Sequence, residues 1–434
     1  MNIRPFEIVL IAIFAGSALA GLMYLSIFKG GGSAKDEVYG QRVQMWGTFD
    51  SSKMDTLLSE VSTTDAGFKV VKYRQIDERS FEGELVNAIA DGNPPDVVLI
   101  PHTMLVMFRS KLLAIPKETL DERTFRSTYI DGAEIFMRSS GTYALPLGVD
   151  PLVLFWNRDH FASAGLATPP KTWEMLVSES TPRLTVVDSK RAITQSAIGM
   201  GEFINVHHAK EILSLLLFQA GTSIVTEEND RYTITLTQRE DGGTPPAQSA
   251  LNFYTQFASP VSSAFTWSRT QQLDKNAFTA GKLSMYLGFG SEIQSIEEQN
   301  PNLNFDITAV PQAQGATALR NYGTFYGFAI PKTSANIAGA YQVVAKLTEA
   351  GLAKKFTDSL AITPVARSLY TGGSTGMYES ILRQSALISR GWLDPSPKDS
   401  SNAFKTMIEG ITFGRSDADR LVNDASYTLE TLFR

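Results

Sequence analysis

The stretch from Tyr143 to Trp156, YALPLGVDPLVLFW, leaves this chain the fewest choices. Pro146 and Pro151 exclude a helix across it, and Val149, Leu152, Val153, Leu154 and Phe155 are strand formers. An extended run of this length with a single carboxylate at Asp150 is either a crossover between two lobes or a buried strand of one domain, and the pattern alone leaves both open. In front of it, strands and helices alternate. A strand ends in QMWGTF, a helix covers Lys53 to Val61, and a second strand runs from Phe68 to Tyr73. An amphipathic helix over Arg79 to Ala90 is stopped by DGNPP, and DVVLI at Asp96 to Ile100 is a continuous apolar run of the kind buried in a parallel sheet. That order argues for βαβ units and an α/β fold. Ligands of open α/β sheets sit beyond the carboxyl ends of strands, so Trp46, with Thr48 and Asp50 after it, either lines a cleft or, for the tryptophan, sits in the core.

A chain of 434 residues is too long for one ordinary core, so two or three units are expected. The net charge of −6 carries no nucleic-acid footprint. The absence of cysteine removes disulfides, thiolate metal sites, a cysteine nucleophile and a lipid-modified N-terminal cysteine. Ile8 to Phe28 is 21 residues without a charge, and as a helix at about 1.5 Å per residue it is long enough to span a bilayer. Ala18-Leu19-Ala20 resembles a signal-peptidase site, but the apolar run continues to Phe28, which favours a retained anchor over a cleaved signal. Gly30 to Ser33 is then a flexible tether.

Beyond the central stretch, NRDHFASAGLATPPKTWEML reads as helix, loop and helix, and Ser196 to Asn300 as mostly helical. LSMYLGF ends in Gly288-Phe289-Gly290-Ser291, where glycines either let a ligand approach or simply turn the chain. Strands are expected at Phe305 to Val310 and Phe325 to Ile330, and a helix interrupted or kinked near Gly351 over Ala338 to Thr357. Gly372 to Gly376 matches GxSxG, but all four histidines precede it, so a nucleophile elbow lacks its base. Gly281-Lys282 mimics the end of a phosphate loop without its first glycine or its hydroxyl. His207 and His208, taken as helical neighbours, diverge, and no shared metal or other cofactor is expected. Asp50 and Asp150 could in principle flank a glycosidic bond, yet no catalytic signature accompanies them.

The order of the blocks carries a resemblance. YALPLGVDPLVLFWNRDHFASAGLATPPKTWEML is followed by QSALNFYTQFA, NAFTAGKLSMYLGFGSEI, FDITAVPQAQG, YGFAIPKTSANIAGAYQVVAKLT and ITPVARSLY. Over about residues 40 to 434 the chain resembles the extracellular solute-binding proteins of family 1, the sugar-type binding subunits of ABC importers. The resemblance implies a two-lobed periplasmic-binding-protein type II fold with three hinge crossings, here preceded by one transmembrane helix where many relatives carry a lipidated cysteine. Residues 1–35 would be anchor and tether, 36–148 plus 311–363 one lobe, and 149–310 plus 364–434 the other, joined near Gly148 to Asp150, Val310 to Pro311 and Thr363 to Ala366. It implies a monomeric, non-enzymatic binder of a carbohydrate-type solute, an oligosaccharide by preference, anchored on the extracytoplasmic side of a bacterial cell membrane and partnered by permease subunits. The alternatives are a carbohydrate-processing enzyme on the same anchor and a ligand-sensing ectodomain. Matched positions give the ligand-binding candidates: Trp46, Thr48 and Asp50; His102 after Ile100 and Pro101; Asp150; Phe203; Phe289 and Ser291, which replace the family's glycine-tryptophan pair; Tyr322 and Tyr326; and Arg367. Trp392 joins them as an extra aromatic, a type of residue found more often in the core than against ligand.

Overall fold

The computed structural model describes residues 42–239, 243–373 and 376–433. The apolar run from Ile8 to Phe28 and its tether lie outside the described residues, as do Ser374 and Thr375 of the GxSxG stretch. Among the described residues, no helix is long and apolar enough to cross a membrane.

Strand β1 (Val43–Gly47) leads into helix α1 (Ser51–Thr64), β2 (Val71–Gln75), α2 (Glu78–Ala90) and β3 (Val97–Pro101). Each helix starts on a carboxylate that accepts a backbone N–H of the first turn: Asp50 from Lys53 at 3.1 Å and Asp77 from Arg79 at 2.9 Å. The second strand begins later than its sequence pattern predicts, because Ala66–Val70 winds into a 3₁₀ turn that buries Phe68 under α1. The central stretch is one 13-residue strand, β4 (Leu145–Asn157), buried throughout except at Trp156. After it come β5 (Ile193–Ile198), α3 (Ala209–Gln219), β6 (Leu283–Phe289), α4 (Ile293–Gln299), β7 (Phe305–Thr308) and β8 (Asn321–Ala329). Helices α5 (Ile337–Leu347) and α6 (Ala350–Ser359), the short strand β9 (Thr363–Pro364), and helices α7 (Pro397–Thr412) and α8 (Ala418–Leu432) follow. The interruption expected near Gly351 falls at Thr348 and Glu349, which separate two helices, with Gly351 inside the second.

One sheet runs through the molecule in the order β2-β1-β3-β8-β4-β6-β5. Its two halves meet on β4. Residues 145–151 of β4 pair with β8, from Leu145 opposite Phe328 to Pro151 opposite Gly323. Residues 152–156 pair with β6, starting at Leu152 opposite Phe289. Strand β9 pairs with Gly148 and Val149 of the first segment, and β7 pairs with Leu154 to Asn157. Every residue of β4 except Trp156 is buried, so both of its faces are covered, which is why its sequence is apolar without alternation. The central stretch is thus a buried strand shared by the two halves of the sheet, with the change of partner at Pro151 and Leu152. The fold is a two-lobed α/β architecture of the periplasmic-binding-protein kind.

Behind β8, the ring of Phe325 and the carbonyl oxygen of Ser389 press directly on the Cα of Gly132, well inside the space that a Cβ needs. Gly132→Ala is therefore expected to lower stability by about 1–3 kcal/mol through overpacking, read as a lower urea midpoint at unchanged m-value. A midpoint equal to that of the parent chain would show that this contact is loose.

Candidate functional site

Because β1, β2 and β3 are parallel, their carboxyl ends at Gly47, Gln75 and Pro101 face the same way. Antiparallel β8 brings Tyr326 beside Pro101 and, on its other edge, beside Gly148 of β4. In the other half, β5 and β6 are parallel, and their ends lead into the turn of residues 199–208 and the turn of residues 290–292. The two sets of strand ends meet at Asp150.

Asp150 is 5% exposed, and its Oδ1 accepts the backbone N–H of Ser291 at 3.0 Å. Burial pushes its carboxyl up to about 7, against the pull of the Ser291 hydrogen bonds. Tyr326 stands near it, its phenol raised by burial and then by the Asp150 charge, and its ring lies 4.9 Å from that of Phe49. Phe289 lies 6.2 Å from Tyr322 on one side and 4.8 Å from the imidazole of His208 on the other. Glu292 accepts the Tyr286 hydroxyl at 2.7 Å and pairs with His208 Nε2 at 3.0 Å, with Lys275 Nζ at 3.5 Å. Burial alone would raise Glu292, but the His208 hydrogen bond and charge outweigh it and hold the carboxyl at about 2. For His208, burial is likewise overcome by Glu292, and its pKa rises. The arrangement combines a buried, titratable carboxyl, which the Ser291 side chain also hydrogen-bonds, with several aromatic faces and a fixed carboxylate, a set chemically able to recognise hydroxyl groups and apolar ring faces. A hollow of about 410 Å³ borders it, lined by Gly290 and Ile293 from one half and Thr357, Ile362 and Thr363 from the other.

Of the residues singled out from sequence, Asp150, Phe289, Ser291, Tyr322 and Tyr326 come together here. Thr48 and Asp50 lie at the end of β1, where Asp50 caps α1. Phe203 is half-buried on the turn of residues 199–208, beside Ile204, which is 62% exposed. Of the remaining four, His102 borders this group, its ring 6.2 Å from that of Tyr322, and the other three lie elsewhere. Trp46 is buried in the cluster that includes Phe81 and Leu85 of α2, and the Arg74 guanidinium lies 4.7 Å over its ring. His102 is fully buried, its Nδ1 accepts the Phe325 N–H at 3.1 Å, and its other nitrogen lies against Gly391. Burial pushes His102 down to about 3, so it is neutral. Arg367 is ion-paired with Asp131. Trp392 is 2% exposed and stacks on Phe404 with centroids 5.9 Å apart. A larger hollow of about 920 Å³ borders Asp131 and Trp392, but none of its lining belongs to the group around Asp150.

Phe49, His207, His208 and Glu292 were not singled out as ligand contacts. The family match that selected Phe289 and Ser291 stopped one residue short of Glu292, which the rule that ligands lie beyond strand ends would have reached. The two histidines are not helical neighbours as expected. They precede α3, His208 is its N-cap, and their rings stand edge to face 4.5 Å apart. Their ring nitrogens and a Glu292 oxygen can all lie within 4.8 Å of one another.

A model of the bacterial extracellular solute-binding protein family matches residues 66–354. A Brucella abortus (strain 2308) protein described as a binding protein is 21% identical over 365 residues, covering 81% of this chain and 82% of its own. The crystal structure of a cyclo/maltodextrin-binding protein complexed with maltotetraose superposes with a TM-score of 0.72 at 14% identity, over 93% of this chain and 98% of that one. The GacH receptor of Streptomyces glaucescens, solved unliganded and with acarbose, superposes with a TM-score of 0.70 at 16% identity, over 91% and 98%.

Proposed function

The chain belongs to the bacterial extracellular solute-binding proteins, and from that premise we propose that it captures a carbohydrate-type ligand, an oligosaccharide by preference, and delivers it to an ABC importer by closing its two lobes. The observation that carries this reading is the group at the β4 crossover. A buried carboxyl sits there between two sets of strand ends, with Phe49, Tyr326, Phe289 and Tyr322 around it. Pyranose rings present C–H faces to aromatics and hydroxyls to carboxylates, so this set suits a sugar. The maltotetraose and acarbose complexes of the structural neighbours support the same class.

The lobes would comprise residues 36–148 with 311–363 and residues 149–310 with 364–434, hinged at β4, at Val310 and Pro311, and at Thr363 to Ala366. Ligand held between them favours the closed form. Contact residues would be Thr48, Asp50, Asp150, Phe203, Phe289, Ser291, Tyr322 and Tyr326. Binding without turnover, a single membrane span at Ile8 to Phe28, monomeric lobes on the extracytoplasmic side and permease subunits as partners complete the proposal.

The test is a thermal-shift screen of oligosaccharides, then calorimetry and small-angle scattering with the best ligand. A ligand is expected to raise the melting temperature, since it binds only the folded state, and to shrink the radius of gyration. Asp150→Ala is expected to weaken binding roughly ten- to a hundredfold by removing a hydrogen-bonding carboxyl. A panel that shifts nothing would sink the carbohydrate reading, and an unchanged radius of gyration on binding would sink the hinge.

A further inference from the structure

We propose that His207, His208 and Glu292 form a binding site for a transition-metal dication of the Zn²⁺ class, on the turns that follow β5 and β6. Two imidazoles and one carboxylate are a donor set that borderline metals accept and that Ca²⁺ and Mg²⁺, which take oxygen ligands, do not favour. In a tetrahedral site with donors about 2.1 Å from the metal, donor atoms lie about 3.4 Å apart. His208 Nε2 and Glu292 Oε1 are already 3.0 Å apart, and all three donor atoms fall within 4.8 Å. His207 is exposed and no side chain among the described residues bonds to its ring, so a rotamer change can close the remaining gap. The three side chains then supply three ligands and leave a fourth position for water or an incoming donor.

The surroundings orient these ligands. The Tyr286 hydroxyl holds Glu292 Oε2, which turns Oε1 toward the histidines. The ring of Phe289 packs against His208, and the backbone N–H of His207 donates to Asp274 Oδ1 at 3.0 Å, fixing the turn. One group opposes the site. Lys275 Nζ lies 3.5 Å from Glu292 Oε1, although it also donates to Ser295 Oγ at 2.9 Å. That ammonium competes with a metal for the carboxylate, and the proton shared by His208 and Glu292 must leave when a metal enters. Removing the lysine charge should therefore strengthen metal binding, an effect that a purely structural ion-pair cluster does not share. The two sites share Glu292, and His208 packs on Phe289, but the inference does not depend on the sugar proposal, because it is read from the metal alone.

The experiment uses the untagged chain after removal of metals by chelator. Zn²⁺ affinity is read by competition with a chromogenic chelator, and geometry from the visible spectrum of added Co²⁺. One equivalent of Zn²⁺ is expected to bind, with Co²⁺ giving the intense bands of four-coordination. His207→Ala and Glu292→Gln are each expected to weaken Zn²⁺ about tenfold or more, and Lys275→Met to tighten it. For the exposed His207, the metal-free melting temperature should not move. His160→Ala, at a histidine bonded instead to Ser284 Oγ at 3.0 Å, should leave Zn²⁺ binding as it was. No saturable binding, binding indifferent to His207→Ala, or loss of binding on removing His160 would each overturn the proposal. Any of these outcomes leaves the oligosaccharide screen untouched, and a failed sugar screen leaves Zn²⁺ binding untouched.

Discussion

Replacing Lys210 by methionine is expected to cost the folded chain about 3–5 kcal/mol, because it breaks a buried ion pair and leaves the other charge behind. Lys210 sits in the first turn of α3 at 7% exposure, and its partner Asp394, on the segment leading into α7, is completely buried. The ammonium also donates to Ser400 Oγ at 2.7 Å and lies 5.2 Å from the Trp392 ring. Asp394 keeps two donors without it, the Ser400 hydroxyl at 2.9 Å and the Ser396 N–H at 3.1 Å. Those bonds satisfy its oxygens but leave its charge uncompensated, so the low end of the range is the floor. Pairing Lys210→Met with Asp394→Leu should recover most of the loss, since apolar residues often replace a buried pair at little net cost. Urea unfolding of the parent chain, the single variant and the double variant measures both effects. A single variant within about 1 kcal/mol of the parent would place this pair with surface pairs such as Lys354 with Asp358.

The second large effect is a pH dependence set by Asp150. Its carboxyl moves from 3.8 to about 7 on folding, with burial as the main cause. Between those values the native state holds a proton that the unfolded state has released. The contribution of Asp150 to stability is therefore full below pH 3.8 and is lost as pH rises through about 7. At about 1.36 kcal/mol per tenfold change in proton affinity, the loss approaches about 4 kcal/mol at its upper limit. Asp150→Asn has no proton to lose. At pH 8 the variant is expected to be the more stable of the two, and its advantage should shrink as the pH falls toward 4. Glu292 has the opposite sign. Held at about 2, it contributes stability above pH 4.5 that is lost only as pH falls toward 2, outside this window. His208, whose pKa is raised, contributes to both chains alike. Urea midpoints of both chains across this range decide the matter, and parallel curves would mean that Asp150 is solvated in solution. In the proposed binding site, the same titration would bear on ligand capture, because near neutral pH the Asp150 carboxyl could both accept and donate.

Much of the architecture was legible from local pattern. Two prolines and five strand formers require Tyr143 to Trp156 to be extended, and its lack of alternation requires burial on both faces. DVVLI and the DGNPP stop place β3 and the end of α2 nearly to the residue, since strand burial and helix termination are decided by neighbours in the chain. Matching to the solute-binding family picked out Ser291, whose backbone N–H bonds Asp150, and Phe289 two residues before it. Which way the other side chains point depended on segments far away in sequence. Trp46 ends a strand as expected but packs on α2, His102 is sealed by Gly391, and Trp392 stacks in the core on Phe404. His207 and His208 converge with Glu292 only because the chain reaches them in a turn before α3 begins and β6 brings Glu292 alongside. Pattern within one segment fixes which residues are extended, helical or buried; which buried polar groups meet is set by the packing of segments against one another, and that was settled only when the two halves of the sheet joined along β4.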